Sequence, residues 1–356
     1  MEEIELLIIG SNNKSTGGIP RYIPEQLKQL PDSIHARVYD IGAPEGSGWT
    51  WFGKSLGKAF RDAALFPFQS RPDVVHVHTS HYHSFFRASF YALYSAHVWH
   101  VPVVLHVHGS SFDEFVVTDS FVSQTLQRAV YAAVDEIIVL SEYWRDQLAL
   151  QVDEEKIRVV PNAIDPSEYS PSFDTDPLHI VFISNLISRK GVAEFSDAID
   201  RLLADVEEDV RVSIAGKGPL EGRVRELADK YDAVTYHGYV SEEKKRELLN
   251  DGSIYVLPTY AEGLPIAILE AMAGGNAIIS TPVGSIPEVI GEENGALVAP
   301  GDVTRLVETL NRWVESPDDV RNAAERNREL VEERYSWSVV MNEIEETYAD
   351  VVRGRA

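Results

Sequence analysis

VVPNAIDPSEYSPSFDTDPL, residues Val159 to Leu178, decides the fold. It holds four prolines, Pro161, Pro166, Pro171 and Pro177, and shows neither helical nor strand periodicity. Such a stretch reads as a connection between domains. Upstream, IELLIIG, DVVHVH, VPVVLHVHG and DEIIVLS are short β-branched runs separated by helical stretches. Downstream the pattern restarts with LHIVFIS, VRVSIAG, AVTYHGYV, SIYVLP and AIISTP, with charged helices such as LEGRVRELADKYD between them. Strands alternating with helices predict parallel sheets with right-handed crossovers. The expected fold is α/β: two Rossmann-like doubly wound domains facing a cleft, residues 1–165 and 166–335. The tail carries Trp337 and Tyr348 on a helical pattern, and the helix at 336–356 is expected to pack back on the first domain. In such sheets ligands sit at the carboxyl ends of the strands.

A chain of 356 residues has room for two cores. No apolar run approaches the ~20 residues of a membrane span. The start, MEEIELLIIG, is acidic and leads straight into a strand, so no signal peptide and a cytoplasmic location are expected. With no cysteine, disulfides and thiolate metal sites are excluded. The net charge of -24 argues against a nucleic-acid partner, which wants a basic face. The 32 basic residues are 22 Arg and 10 Lys. An acidic, lysine-poor chain predicts a salt-rich, halophilic setting, where salt screens self-repulsion.

Several stretches carry chemistry. Gly17-Gly18 follow the first strand and precede a helix, a turn at which backbone N–H groups can approach a phosphate. GKGPLEG after VRVSIA echoes a dinucleotide loop, but Pro219 and Gly222 break the spacing and no acidic residue closes the next strand. Eight of the eleven histidines lie between His76 and His108, and the two HxH pairs each share one strand face. They could hold a metal only with further ligands from later strands, and only His179 and His237 follow. His108, at a strand end beside Gly109, is best placed to face the cleft. The DTD at Asp174–Asp176 lies in the proline-rich stretch of a very acidic chain and reads as accidental. In SNLISRKGV, Lys190 and Arg189 sit at a strand's carboxyl end before a helix, where cations can hold a diphosphate.

EGLPIAILEAMAGG, Glu262 to Gly275, carries two carboxylates in an otherwise small and apolar run. Pro265 suits the first helical position and Gly274-Gly275 the helix end. Glu262 then lies in the preceding loop and Glu270 in the second turn. The N–H groups of Gly263, Leu264 and Ile266 are expected as open donors at the helix start. Carboxylates at two depths suit two grips on a long ligand better than a shared-proton pair.

Taken in order, the double-glycine turn, DVVHVH, HVHG, VVPNAID, SRKG, AGKGP, EGLPIAILE, TPVGSIPEVI and NGALVAPGD resemble the retaining glycosyltransferases of family 4, of the GT-B fold. HVHGSSFDEF resembles members that build surface polysaccharides. The resemblance implies sugar transfer from a nucleotide diphosphate donor to a glycan or lipid-linked acceptor, without metal or cofactor and with retention. It implies that Glu270 holds the ribose, Glu262 the donor sugar, and Gly263, Leu264 and Pro265 lend backbone contacts. Lys190 would neutralise the diphosphate, with Gly17-Gly18 opposite and His108 at the reacting sugar. The family usually has Arg at the place of Asn185, so Arg189 is the candidate substitute. Asn276 stands where the family has Pro. A nucleotide-sugar epimerase, a phosphorylase or a non-catalytic sugar-nucleotide binder on the same fold are the alternatives.

Finally, GWTWFGKSLGKAFRDAALFPF, Gly48 to Phe68, places Phe52, Leu56, Ala59, Phe60 and Ala63 on one helix face and Lys54, Lys58 and Arg61 opposite. Trp49, Trp51 and Phe52 stand at its start. It reads either as a crossover helix packed on the first sheet or as a peripheral contact with the cytoplasmic membrane leaflet.

Overall fold

The computed structural model describes residues 3–11, 18–42, 46, 48–109, 115–174, 176–205 and 209–355, without the side chains of Trp49, Thr50 and Phe52. Gly17 and Thr175 therefore lie outside the described residues. The chain divides into two compact units, Met1–Asn162 with Trp337–Ala356, and Ala163–Ser336.

The first unit is built on β1 (Ile4–Gly10), β2 (Ile34–Asp40), β3 (Val74–Thr79), β4 (Val103–Val107), β5 (Glu136–Val139) and β6 (Ile157–Val159). All pair in parallel, in the order β2-β1-β3-β4-β5-β6. Leu6, Leu7, Ile8 and Ile9 are consecutive and all buried. An unbroken apolar run is what a strand covered on both faces requires. Its helices are α1 (Gly18–Gln29), α2 (Gly48–Leu65), α3 (His83–Tyr94), α4 (Phe121–Ala133) and α5 (Glu142–Leu148). Ser120 and Ser141 cap the last two, accepting from the N–H groups of Ser123 and Trp144.

The second unit repeats the plan with β7 (Leu178–Ile183), β8 (Val210–Ala215), β9 (Val234–Tyr236), β10 (Ile254–Val256), β11 (Ala277–Ser280) and β12 (Gly295–Leu297). The order is β12-β11-β10-β7-β8-β9, again all parallel. Its helices are α6 (Val192–Asp205), α7 (Glu221–Lys230), α8 (Glu242–Asn250), α9 (Ile266–Ala273), α10 (Ile286–Val289), α11 (Val303–Val314) and α12 (Pro317–Leu330). The chain ends in α13 (Trp337–Arg353), which belongs to the first unit. There Trp337 packs on Tyr22, ring centroids 5.0 Å apart, and Arg158 donates to Asp350 at 2.7 Å.

Two readings need correction. The proline-rich stretch is not a free connection. From Ala163 on it is strapped to the second unit: the N–H groups of Ser170 and Ser172 reach Asn250, and Arg328 donates to the carbonyls of Pro166 and Ala273. A Cβ on Gly275 would lie 2.4 Å from Pro171 Cβ, so only glycine fits there. The face of α2 read as apolar is not packed on the sheet either. Leu56 and Phe60 are exposed, while Asp62 is buried and held by Lys58 at 2.6 Å and Arg61 at 3.0 Å. The buried carboxylate and its lysine turn the helix the other way, since a charge is buried only when paired.

Candidate functional site

In the second sheet the strand order reverses between β7 and β10, and ligands bind where such a reversal opens a crevice. The two loops leaving these strands carry Lys190 and Glu262. A short 3-10 turn, Ser188–Lys190, ends at Gly191 with φ +71°. A Cβ there would meet the Pro258 carbonyl oxygen at 2.0 Å, so glycine lets the two loops touch. They are laced together by the Tyr260 N–H and the Thr259 hydroxyl, both donating to the Arg189 carbonyl, at 2.8 and 3.0 Å. This brings the Lys190 Nζ into direct hydrogen-bonded contact with Glu262 Oε1, which also accepts from Thr259 Oγ1 at 3.2 Å. Glu262 is only 7% exposed. Residues assigned separate roles from the sequence are thus one ion pair. The Arg189 guanidinium donates to the Ala261 carbonyl and lies 4.0 Å from Glu262, giving a second cation at the same point. The Asn185 side chain is exposed.

Glu270 sits in the second turn of α9, where Pro265 takes the N-cap position and not the first helical one. Of the expected open donors, Gly263 and Leu264 are buried, as is Pro265, because the Gly284 loop lies on this turn, while Ile266 is half-buried. A Cβ on Gly284 would fall 2.0 Å from the Glu262 carbonyl oxygen, and the Ser285 N–H donates to the Gly263 carbonyl. Glu270 has its own lysine: Lys245 Nζ lies 2.5 Å from Glu270 Oε1 and 2.5 Å from Glu242. Lys245 is 6% exposed. Sequence reasoning missed it, although it stands three and four residues before the buried Leu248 and Leu249 and so on the inward stripe of α8. A charge on such a stripe is the signal. Each carboxylate is thus paired with a different lysine.

The GKGP loop has a packing reason for its glycines. A Cβ on Gly216 (φ +139°) would meet the Ser184 carbonyl oxygen at 1.8 Å, and one on Gly218 the Leu186 carbonyl oxygen at 2.3 Å. The loop therefore braces the segment that leads to Lys190. Asn276 is structural, donating to the carbonyls of Leu249 and Ala271 and tying two helix ends together.

In the first unit the alternation of β3 and β4 stacks four imidazoles. His76 and His78 have centroids 4.2 Å apart at 19°, and His106 and His108 are 4.0 Å apart at 27°. Hydrogen bonds join Tyr348 Oη to His76 Nδ1 (2.6 Å), His76 Nε2 to His106 Nδ1 (3.3 Å) and His78 Nδ1 to His108 Nε2 (2.9 Å). Burial pushes His76 down to about 3, helped by His108, and His78 and His106 well below the usual value. Burial likewise takes His108 to about 3, against a hydrogen bond with Asn162 that raises it. All four rings are neutral at pH 7. The ligand atoms of His76, His78 and His106 fall within 4.8 Å of one another. The three planes lie within 32° of parallel, and His76 Nε2 and His106 Nδ1 are already engaged with each other. Gly18 opens α1, and Tyr22 on the same helix packs on His108 at 4.9 Å, a neighbour that no motif marks.

Two family models match the chain, one for each half: Glycosyltransferase Family 4 over residues 18–168 and Glycosyl transferases group 1 over residues 166–330. The putative colanic acid biosynthesis glycosyltransferase WcaL of Escherichia coli is 29% identical over 225 residues, 59% of this chain and 55% of that protein. The chain spans about half the length of the curated relatives it matches. Among solved structures, sucrose-phosphate synthase of Thermosynechococcus elongatus superposes with TM-score 0.78 at 16% identity, over 99% of this chain and 100% of that one. HepE of Anabaena, solved in complex with UDP, gives 0.75 at 17% identity, over 98% and 100%. At these identities the structural likeness is one of fold.

Proposed function

We propose that this chain, a family 4-like glycosyltransferase of GT-B fold by the matches to its two halves, moves a sugar from a nucleotide diphosphate donor to a glycan or lipid-linked acceptor. The reading includes retention of anomeric configuration and independence of metal. The observation that carries it is the Lys190–Glu262 pair at the reversal of the second sheet, with Glu270 one helix turn and more beyond it. Lys190 and Arg189 would neutralise the diphosphate as the bond to the anomeric carbon breaks and its electron pair moves to the phosphate oxygen. Glu262 would hold the donor sugar, Glu270 the ribose hydroxyls, and Gly263 to Pro265 backbone positions of the donor. His108 is proposed to meet the donor sugar and Gly17 and Gly18 the diphosphate, as the family resemblance implies. The acceptor class is proposed by analogy with WcaL, whose name places it in colanic acid biosynthesis. A cytoplasmic and salt-adapted enzyme completes the reading.

Release of nucleoside diphosphate from a panel of nucleotide sugars, with and without acceptor glycans, tests it. UDP-sugars come first, because HepE was solved with UDP. Acceptor-dependent release in the presence of EDTA is expected. Epimerised donor without release favours the epimerase, and no turnover with tight nucleotide binding favours a non-catalytic binder. Activity lost in EDTA and restored by Mn²⁺ or Mg²⁺ would overturn metal independence.

A second expectation concerns Glu270→Ala. Removing a charged hydrogen-bond partner costs ~1.5–3 kcal/mol, so the donor KM should rise by about ten- to a hundredfold with a smaller change in kcat. An unchanged donor KM would rule out the ribose grip.

A further inference from the structure

We infer that the layer formed by α2, α3 and α4 is a docking surface for an anionic lipid bilayer. The three helices lie side by side, α3 contacting both of its neighbours. Their outer side is unusually apolar. Phe60 is 70% exposed, Phe121 80%, and Phe68, just after α2, 83%, with Leu56, Phe90 and Val122 also exposed. Among the described residues, 12 of the 14 exposed large apolar side chains lie in the first unit, so the apolar surface is concentrated there. Exposed apolar side chains in such number mark an interaction surface.

Charge selects the partner. The chain has 56 acidic residues, yet α2, α3 and α4 together carry one, Asp62, and it is buried. The same helices carry five cations, Lys54, Lys58, Arg61, Arg87 and Arg128. A two-fold interface between copies would set this basic face against itself. An anionic bilayer attracts it and repels the acidic remainder, which fixes which side faces the lipid. No helix among the described residues is long and apolar enough to cross a membrane, so the contact is lateral: phenylalanines in the interface and cations at the headgroups. Lys58 holds the buried Asp62 and is part of the fold, whereas Lys54 is exposed on α2 and Arg128 on α4.

The inference goes beyond the transfer reaction, since vesicle binding needs neither donor nor acceptor and its failure leaves that reading standing. Co-sedimentation would use vesicles of phosphatidylcholine alone and of phosphatidylcholine and phosphatidylglycerol in equal parts, at low and at molar KCl. Wild type is expected to pellet with the anionic vesicles. The exposed triple variant Phe60→Ser, Phe68→Ser, Phe121→Ser should lose at least about tenfold in partitioning. Lys54→Gln with Arg128→Gln should lose about fivefold per cation at low salt and little at molar salt, where charge is screened. Both variants should keep the wild-type melting temperature and nucleotide affinity, which separates docking from folding. Wild type remaining in the supernatant, equal pelleting by the triple variant, or indifference to phosphatidylglycerol would each overturn the inference. So would a dimer, seen by light scattering, that the triple variant dissociates and that fails to bind vesicles.

Discussion

Lys190→Ala is expected to lower kcat by about 10²–10³ while moving the donor KM far less. Charge on the departing diphosphate develops in the transition state, so a cation placed for it acts mainly on kcat. The substitution also leaves Glu262 without its lysine at a buried position. Breaking a buried pair from one side costs about 3–5 kcal/mol, so the melting temperature should fall too. The two effects separate in Lys190→Met with Glu262→Gln, which should recover most of the melting temperature and none of the turnover. Steady-state kinetics and thermal melts on the three proteins decide it. A kcat within about threefold of wild type, or a loss confined to KM, removes Lys190 from the chemical step.

Acid should unfold the first unit well above the range in which carboxylates titrate. His76 and His108 are held at about 3 in the folded chain, against about 6.5 for free histidine. The unfolded chain therefore takes up protons first. The contribution of these rings is complete above about pH 6.5 and is lost progressively between about pH 6.5 and 3. Between pH 7 and 5 each ring should remove about 2 kcal/mol, with His78 and His106 acting in the same direction. Five of the six tryptophans lie in the first unit, so urea unfolding followed by tryptophan fluorescence reports mainly on it. Stability that stays flat from pH 7 to 5 would mean the rings are not buried as a neutral stack.

The sheets were legible because parallel strands covered on both faces are largely apolar, as Leu6 to Ile9 and Ile180 to Phe182 are. The reversal that positions the site is less so, because strand order depends on crossovers that no local pattern encodes. Lys190 and Glu262 each stood out beside a glycine at a strand end, but their contact joins loops 72 residues apart in sequence. Lys245 was hidden by a run of charges, EEKKRE, in which one lysine turns inward. On α2, hydrophobicity left packing and membrane contact both open, and only the packing reading fails, since Asp62 with its Lys58 is the buried side while Leu56 and Phe60 are exposed. The stacked histidines show the period of two at work: each HxH put both rings on one side, and adjacent strands in register did the rest.

Calorimetric titration in EDTA with a nucleoside diphosphate and the matching monophosphate, on wild type and Lys190→Ala, tests most directly whether the second unit holds the donor. Wild type is predicted to bind the diphosphate more tightly than the monophosphate by at least about tenfold, and Lys190→Ala to lose most of that difference while keeping its monophosphate affinity. Equal affinity of wild type for the two nucleotides, or a preference that survives intact in Lys190→Ala, would contradict the account.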